Sequence, residues 1–200
     1  MKYELTDETN GSGLRRIRAL RDIPRYGVEE GDLGGWVESE GNLTQEGDCW
    51  VFDAAQVCDA AQVCDNARVF GKALVCGNAQ VCDAAQVCGN ALVFGIAMVG
   101  GNARVFDNAQ VFGNALIYGD ARVFDNARVF GNALVCGNAL IYGDARVSDD
   151  AQVFGNAQVC DDAQVCGNAM VFGKARVGDN LRVGGNARVF DAAVCGGVAS

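Results

Sequence analysis

The chain has 200 residues, half of them hydrophobic, which fits one folded domain with a substantial core. Its 25 Asp and Glu outweigh 16 Lys and Arg, and the formal charge of -9 disfavours non-specific attraction to nucleic acid or to an anionic membrane. There is one proline and no histidine, so general-base chemistry lacks the side chain that supplies it near neutral pH.

The start, Met1-Lys2-Tyr3-Glu4-Leu5-Thr6-Asp7-Glu8, holds no apolar stretch of the signal-peptide kind, and no run of 18 apolar residues occurs further along. The expected location is the cytoplasm, with no membrane association. Residues 1–40 read as an N-terminal capping segment, because the alternation in Leu14-Arg15-Arg16-Ile17-Arg18-Ala19 predicts strands outside the six-residue register of the remaining chain.

Residues 41–193 are a six-residue repeat. Every sixth residue from Val51 to Val189 is Val, except Ile117 and Ile141, over 24 uninterrupted positions. Four residues after each stands Ala, from Ala55 to Ala193, with Leu181 the exception. Period-two alternation over Ala-x-Val-x sends Ala and Val inward and the Arg, Gln or Leu between them outward. The remaining pair, mostly Gly-Asn or Asp-Asn, predicts a corner, where Gly and Asn tolerate left-handed backbone. Three strands and three corners make an 18-residue triangular coil, and 24 units make eight coils, a rod of about 38 Å. The stretch 194–200 is the expected C-terminal end, where Val194-Cys195-Gly196-Gly197 leaves the register.

Val at one position, Asn two before a small Ala, and six-residue spacing resemble the hexapeptide repeats of single-stranded left-handed parallel β-helices. The segment from Gly31-Asp32-Leu33-Gly34-Gly35-Trp36-Val37 through Asn42-Leu43-Thr44 to Gly47-Asp48-Cys49-Trp50-Val51 is similar to the YdcK-like branch of that superfamily. The resemblance implies an all-β solenoid and a left-handed coil; periodicity alone does not set the hand. It also brings expectations of chemistry, since relatives of the fold include acyltransferases with a histidine base and carbonic anhydrases that hold zinc with histidines. This chain lacks histidine, and residues 51–189 lack the loops that shape a cleft in such enzymes, so no catalytic residue, cofactor or metal site is expected.

Eight of the ten cysteines recur at one repeat position, which reads as reduced thiols rather than a disulfide framework. An 18-residue coil stacks Cys58 on Cys76 and Cys64 on Cys82. A metal site there is weighed against small apolar residues in a ladder, and the ladder is preferred because thiolate sites want four clustered ligands. Thr at positions 6, 9 and 44 alone rules out an ice-binding Thr array, and the corners supply too few carboxylates for calcium.

Sorted by the 18-residue period, the outward residues define three faces. The apolar face carries Met98, Leu116, Leu134 and Met170 beside Tyr118, Cys136, Phe154 and Phe172, a strip without charge that should pack on another chain or beneath the N-terminal segment. The arginine face carries Arg68, Arg104, Arg122 and Arg176 beside Phe70, Phe106, Phe124 and Tyr142, a candidate ligand face. Arginine beside aromatics can stack bases, but the preferred reading is that Arg stems cover the aromatics and pair with corner carboxylates, so direct nucleic-acid binding is not expected. The mixed face holds Gln56, Leu74, Leu92, Gln110, Arg128 and Arg146.

These features predict a non-enzymatic structural or binding solenoid that self-associates through the apolar face as a dimer or trimer. The alternatives are a phage- or prophage-encoded protein that binds and inhibits a host factor, for instance by acidic mimicry of nucleic acid, and an acyltransferase-like enzyme with an unfamiliar base.

Overall fold

A computed structural model describes residues 1–194, and in it the repeat closes into a solenoid with three parallel sheets as its sides. β1 (Tyr3–Thr9), β2 (Arg15–Ala19) and β3 (Leu33–Val37) precede 24 strands of two or three residues, from β4 (Trp50–Val51) to β27 (Arg188–Phe190), and β28 (Ala193–Val194) ends the set. No α-helix occurs among the described residues, and none is long and apolar enough to cross a membrane.

Each strand pairs with the strand one coil away, Val on Val and outward residue on outward residue, as in Gln56 on Leu74 and Val57 on Val75. The inward Val and Ala are almost all at 0% exposure, so the interior is a column of small apolar side chains. Backbone amides bond along the rod: Gln56 N donates to Ala73 O at 2.9 Å and Cys58 N to Val75 O at 3.0 Å, and the pattern repeats coil by coil.

The stack has about nine coils rather than the expected eight. β3 is the first-coil strand of the mixed face, with Val37 on Val57, and Leu43 bridges to Val63 on the apolar face. Eight residues separate Leu43 from Val51 where six are regular, and that insertion hides the first coil from a six-residue count. At the far end β28 pairs Ala193 with Arg176 and Val194 with Val177, a 17-residue step. The register therefore slips by one without ending the sheet at Val194. The break expected at Cys195-Gly196-Gly197 lies outside the described residues.

The corners also differ from expectation. Positive φ falls on the first corner residue, Gly or Asp, and not on Asn. An L-residue in that region costs about 1–2 kcal/mol, and the Asp side chain recovers part of it. Its carboxylate turns along the rod and accepts the amide one coil on: Gly77 N to Asp59 Oδ2 at 2.9 Å, Gly101 N to Asp83 at 2.8 Å, Gly143 N to Asp125 at 3.0 Å. Asn takes the second corner position and builds side-chain ladders, as in Asn90–Asn108–Asn126 at 3.1 and 3.2 Å. Asp125→Ala should therefore cost about 1–2 kcal/mol, through lost acceptor and retained strain, while Asp125→Gly stays within about 0.5 kcal/mol. Urea denaturation of the pair checks this, and equal losses would refute the account.

The N-terminal segment closes one end. β1 pairs antiparallel with β2 and β2 with β3, so the mixed-face sheet runs on into the cap. Tyr3, Ile17 and Ile23 are fully buried on the first coil. Lys2 is 1% exposed and donates to Glu46 O at 3.3 Å and to Cys49 Sγ at 3.0 Å. The cap does not cover the apolar face: its 3-10 turn, Pro24–Tyr26, lies against the arginine face, where Tyr26 donates to the Asn66 carbonyl and packs edge-on to Phe52.

Candidate functional site

The apolar face is the first candidate surface. Met98 pairs with Leu116 and Leu116 with Leu134, so three successive coils present unbranched or γ-branched apolar side chains at one spot. Leu116 is 40% and Tyr118 50% exposed, while Met98, Leu134, Cys136, Phe154, Met170 and Phe172 are half-buried by their ladder neighbours. Gln152 interrupts the row between Leu134 and Met170. Polar contacts bound the strip at each end. Gly100 leaves a gap in the aromatic ladder, and Tyr118 leans across it to donate to Asp83 Oδ2 at 3.0 Å. At the other end Arg188 lies 5.5 Å over the Phe172 ring.

Ile96 is 53% exposed, two residues before Met98, and carries the apolar surface toward the mixed face. The flanking residues Phe94, Phe112 and Phe130 stack at 4.8 and 4.9 Å. The sorting of faces by period passes over Ile96, although the sequence carries a signal: it is an isoleucine in a corner slot that Asn, Asp, Ala or Lys fills elsewhere.

The arginine face is the second. Arg68 and Arg104 line a cavity of about 390 Å³ that the 3-10 turn helps to form, together with Arg25, Tyr26, Gln86 and Asn102. Two guanidinium groups lie over the Tyr26 ring, Arg68 at 4.8 Å and Arg25 at 5.8 Å from its centroid. Arg25 and Tyr26 belong to the cap and have no place in the repeat register, so periodicity could not bring them here. Arg122 stacks directly on Arg104, whereas Leu140 and Gln158 separate Arg122 from Arg176.

One expectation for this face, the pairing of arginine heads with corner carboxylates, needs correction. No carboxylate lies within ion-pair distance of Arg68, Arg104 or Arg122 among the described residues, because corner Asp side chains turn along the rod to the next coil's amide instead. The rings of Phe106, Phe124 and Tyr142 stack on one another at 4.9 and 5.2 Å, so their faces are occupied and a base meets mainly ring edges.

Asp83 and Asp161 are both held below the usual carboxylate range, Asp83 chiefly by the Gly101 amide and Asp161 chiefly by the Cys160 thiol. A general base working near neutral pH needs the opposite shift.

A family model described as the YdcK beta solenoid repeat matches residues 61–77, 85–101, 109–123, 121–137, 139–155 and 163–179. A protein of Escherichia coli (strain K12) named "Uncharacterized acetyltransferase YdcK" is 35% identical over 65 residues, which cover 32% of this chain and 16% of that protein. The matched repeats fall on coils whose Val-on-Val register runs unbroken through all three sheets, and the chain belongs to the YdcK-like β-solenoid repeat proteins.

Proposed function

We propose that the chain is a non-enzymatic binding solenoid that associates with a second copy of itself through the apolar face. The observation that carries this reading is the uncharged row Met98, Leu116 and Leu134 on three successive coils, flanked by exposed Ile96 and Tyr118. No part of the described chain packs over that row, and burying a contiguous apolar patch is worth about 25 cal/mol per Å² removed from water. The depressed carboxylates and the lack of histidine support a binding role over catalysis. The contrary observation is the relative's name, which calls it an acetyltransferase and rests on a match to 16% of its length.

Sedimentation velocity over a range of concentrations tests the reading. The wild-type chain should associate, and Leu116→Glu with Leu134→Glu should sediment as a monomer. Because two stacked Glu side chains repel, Leu116→Gln with Leu134→Gln is the milder companion; Gln already fills the same row at positions 62, 80 and 152. An unchanged mass in both variants would sink the assignment.

A further inference from the structure

On the N-terminal side of the proposed self-association row, thiols and carboxylates come together at two neighbouring corners of the rod. One ligand atom each from Cys58, Asp59 and Cys76 lies within 4.8 Å of the others, and the same holds for Cys64, Asp65 and Cys82. We infer that each trio is a binding site for a thiophilic divalent cation such as Zn²⁺ or Cd²⁺, with a water completing a four-ligand shell.

The geometry follows from the coil. An 18-residue period sets one cysteine above another, which alone gives only two ligands. The third comes from the corner. Asp59 and Asp65 stand at φ 55, and this backbone turns each carboxylate along the rod, where one oxygen accepts the next coil's amide: Gly77 N at 2.9 Å and Asp83 N at 3.2 Å. The same turn sets the carboxylate beside both sulfurs. Periodicity counts the stacked thiols but not this oxygen, and so favours an inert ladder. Tetrahedral Zn²⁺ places its thiolate sulfurs about 3.8 Å apart, within reach of small χ1 rotations from the present cluster.

Binding replaces the two thiol protons of a trio with one metal ion and releases them to solvent, leaving two thiolates and one carboxylate around a divalent charge.

The chain also holds its own controls. The spacing Cys, next residue Asp, and Cys 18 residues on occurs at these two places alone. Cys82-Asp83 has Gly100 one coil on, and the Tyr118 hydroxyl takes the carboxylate instead. Cys160-Asp161 has Gly178 there, and Cys160 donates to Asp161 at 3.1 Å. Cys88 and Cys136 are followed by glycine.

The test is titration of the full reduced chain with Cd²⁺, reading thiolate-to-metal charge-transfer absorbance and proton release. The expected end point is about two equivalents, with about two protons released per ion. Cys76→Ser should leave about one equivalent, Cys76→Ser with Cys82→Ser none, and Cys88→Ser should still take about two. Asp59→Asn should weaken one of the two sites about tenfold. Serine fits the slot, since Ser148 occupies it on the same face as Cys76. An absent absorbance band, or an end point that Cys76→Ser leaves unchanged or Cys88→Ser lowers equally, would overturn the assignment.

Discussion

Tyr3→Ala is expected to loosen the N-terminal cap and to cost about 3–5 kcal/mol, the range for removing a buried aromatic ring. The ring is at 0% exposure and meets Trp50 edge-on, with centroids 6.4 Å apart and planes at 79°. Its hydroxyl donates to the Leu43 carbonyl at 2.7 Å, and Leu43 is the residue through which the first coil joins the apolar-face sheet. One side chain thus ties β1 to two parts of the coil it covers. Tyr3→Phe separates ring from hydroxyl and should cost about 1 kcal/mol, the net worth of one hydrogen bond. Denaturant midpoints measure both, and Trp50, at 1% exposure, should emit at longer wavelength once the cap of Tyr3→Ala opens. A loss below about 1 kcal/mol for Tyr3→Ala would mean that the cap is not held by this contact.

The same residue sets an alkaline limit. Burial, then the charges of Glu40 and Cys49, push the Tyr3 phenol up from 10.0 to about 12. The folded chain therefore holds this proton where the unfolded chain has released it. The contribution is complete below pH 10.0 and is lost as pH rises toward about 12, and Tyr3→Phe should abolish that part of the decline.

A second expectation concerns rotational phase. A copy of Gly77–Cys82 inserted between Tyr118 and Gly119 preserves every inward Val and Ala, so the rod should fold and melt no lower than the parent. It nonetheless turns all later outward residues by one face. Met98 and Leu116 stay on the apolar face, where Arg128 and Arg146 now follow them, while Leu134 and Met170 move to the arginine face. Self-association should be lost. A copy of Gly77–Phe94 at the same point adds 18 residues, restores the phase and should restore association. The same oligomeric state for the two insertions would remove the apolar face as the interface, since both keep the inward Val and Ala and only the 18-residue copy keeps the faces aligned.

Much of this architecture is legible in the amino-acid sequence, because a strand-and-corner unit of fixed length leaves one way to bury Val and Ala. The six-residue count assigns the inward residues, the three faces and the stacking of Cys58 on Cys76. It fails where length varies. Two extra residues between Leu43 and Val51 are enough to hide a full coil, and one residue fewer before Val194 suggests an end where the sheet continues. It also fails where a side chain chooses between directions. Asp at a corner reads as a partner for arginine until its positive φ turns the carboxylate along the rod, and that turn removes ion pairs from one face and sets a carboxylate oxygen beside the stacked thiols. The contacts of Arg25 and Tyr26 with Arg68 are not legible at all, since they depend on where a cap without register comes to rest.

The run of amide bonds along the rod sets how the molecule answers to load. Pulling on its two ends opens those bonds one coil at a time, as a zipper, because force and bonds share an axis. Each 18-residue coil released should lengthen the tether by about 56 Å, the extended chain less one strand spacing. A single-molecule trace should therefore show a train of small, nearly equal steps at low force, with the cap and its buried Tyr3 giving the one step that stands apart.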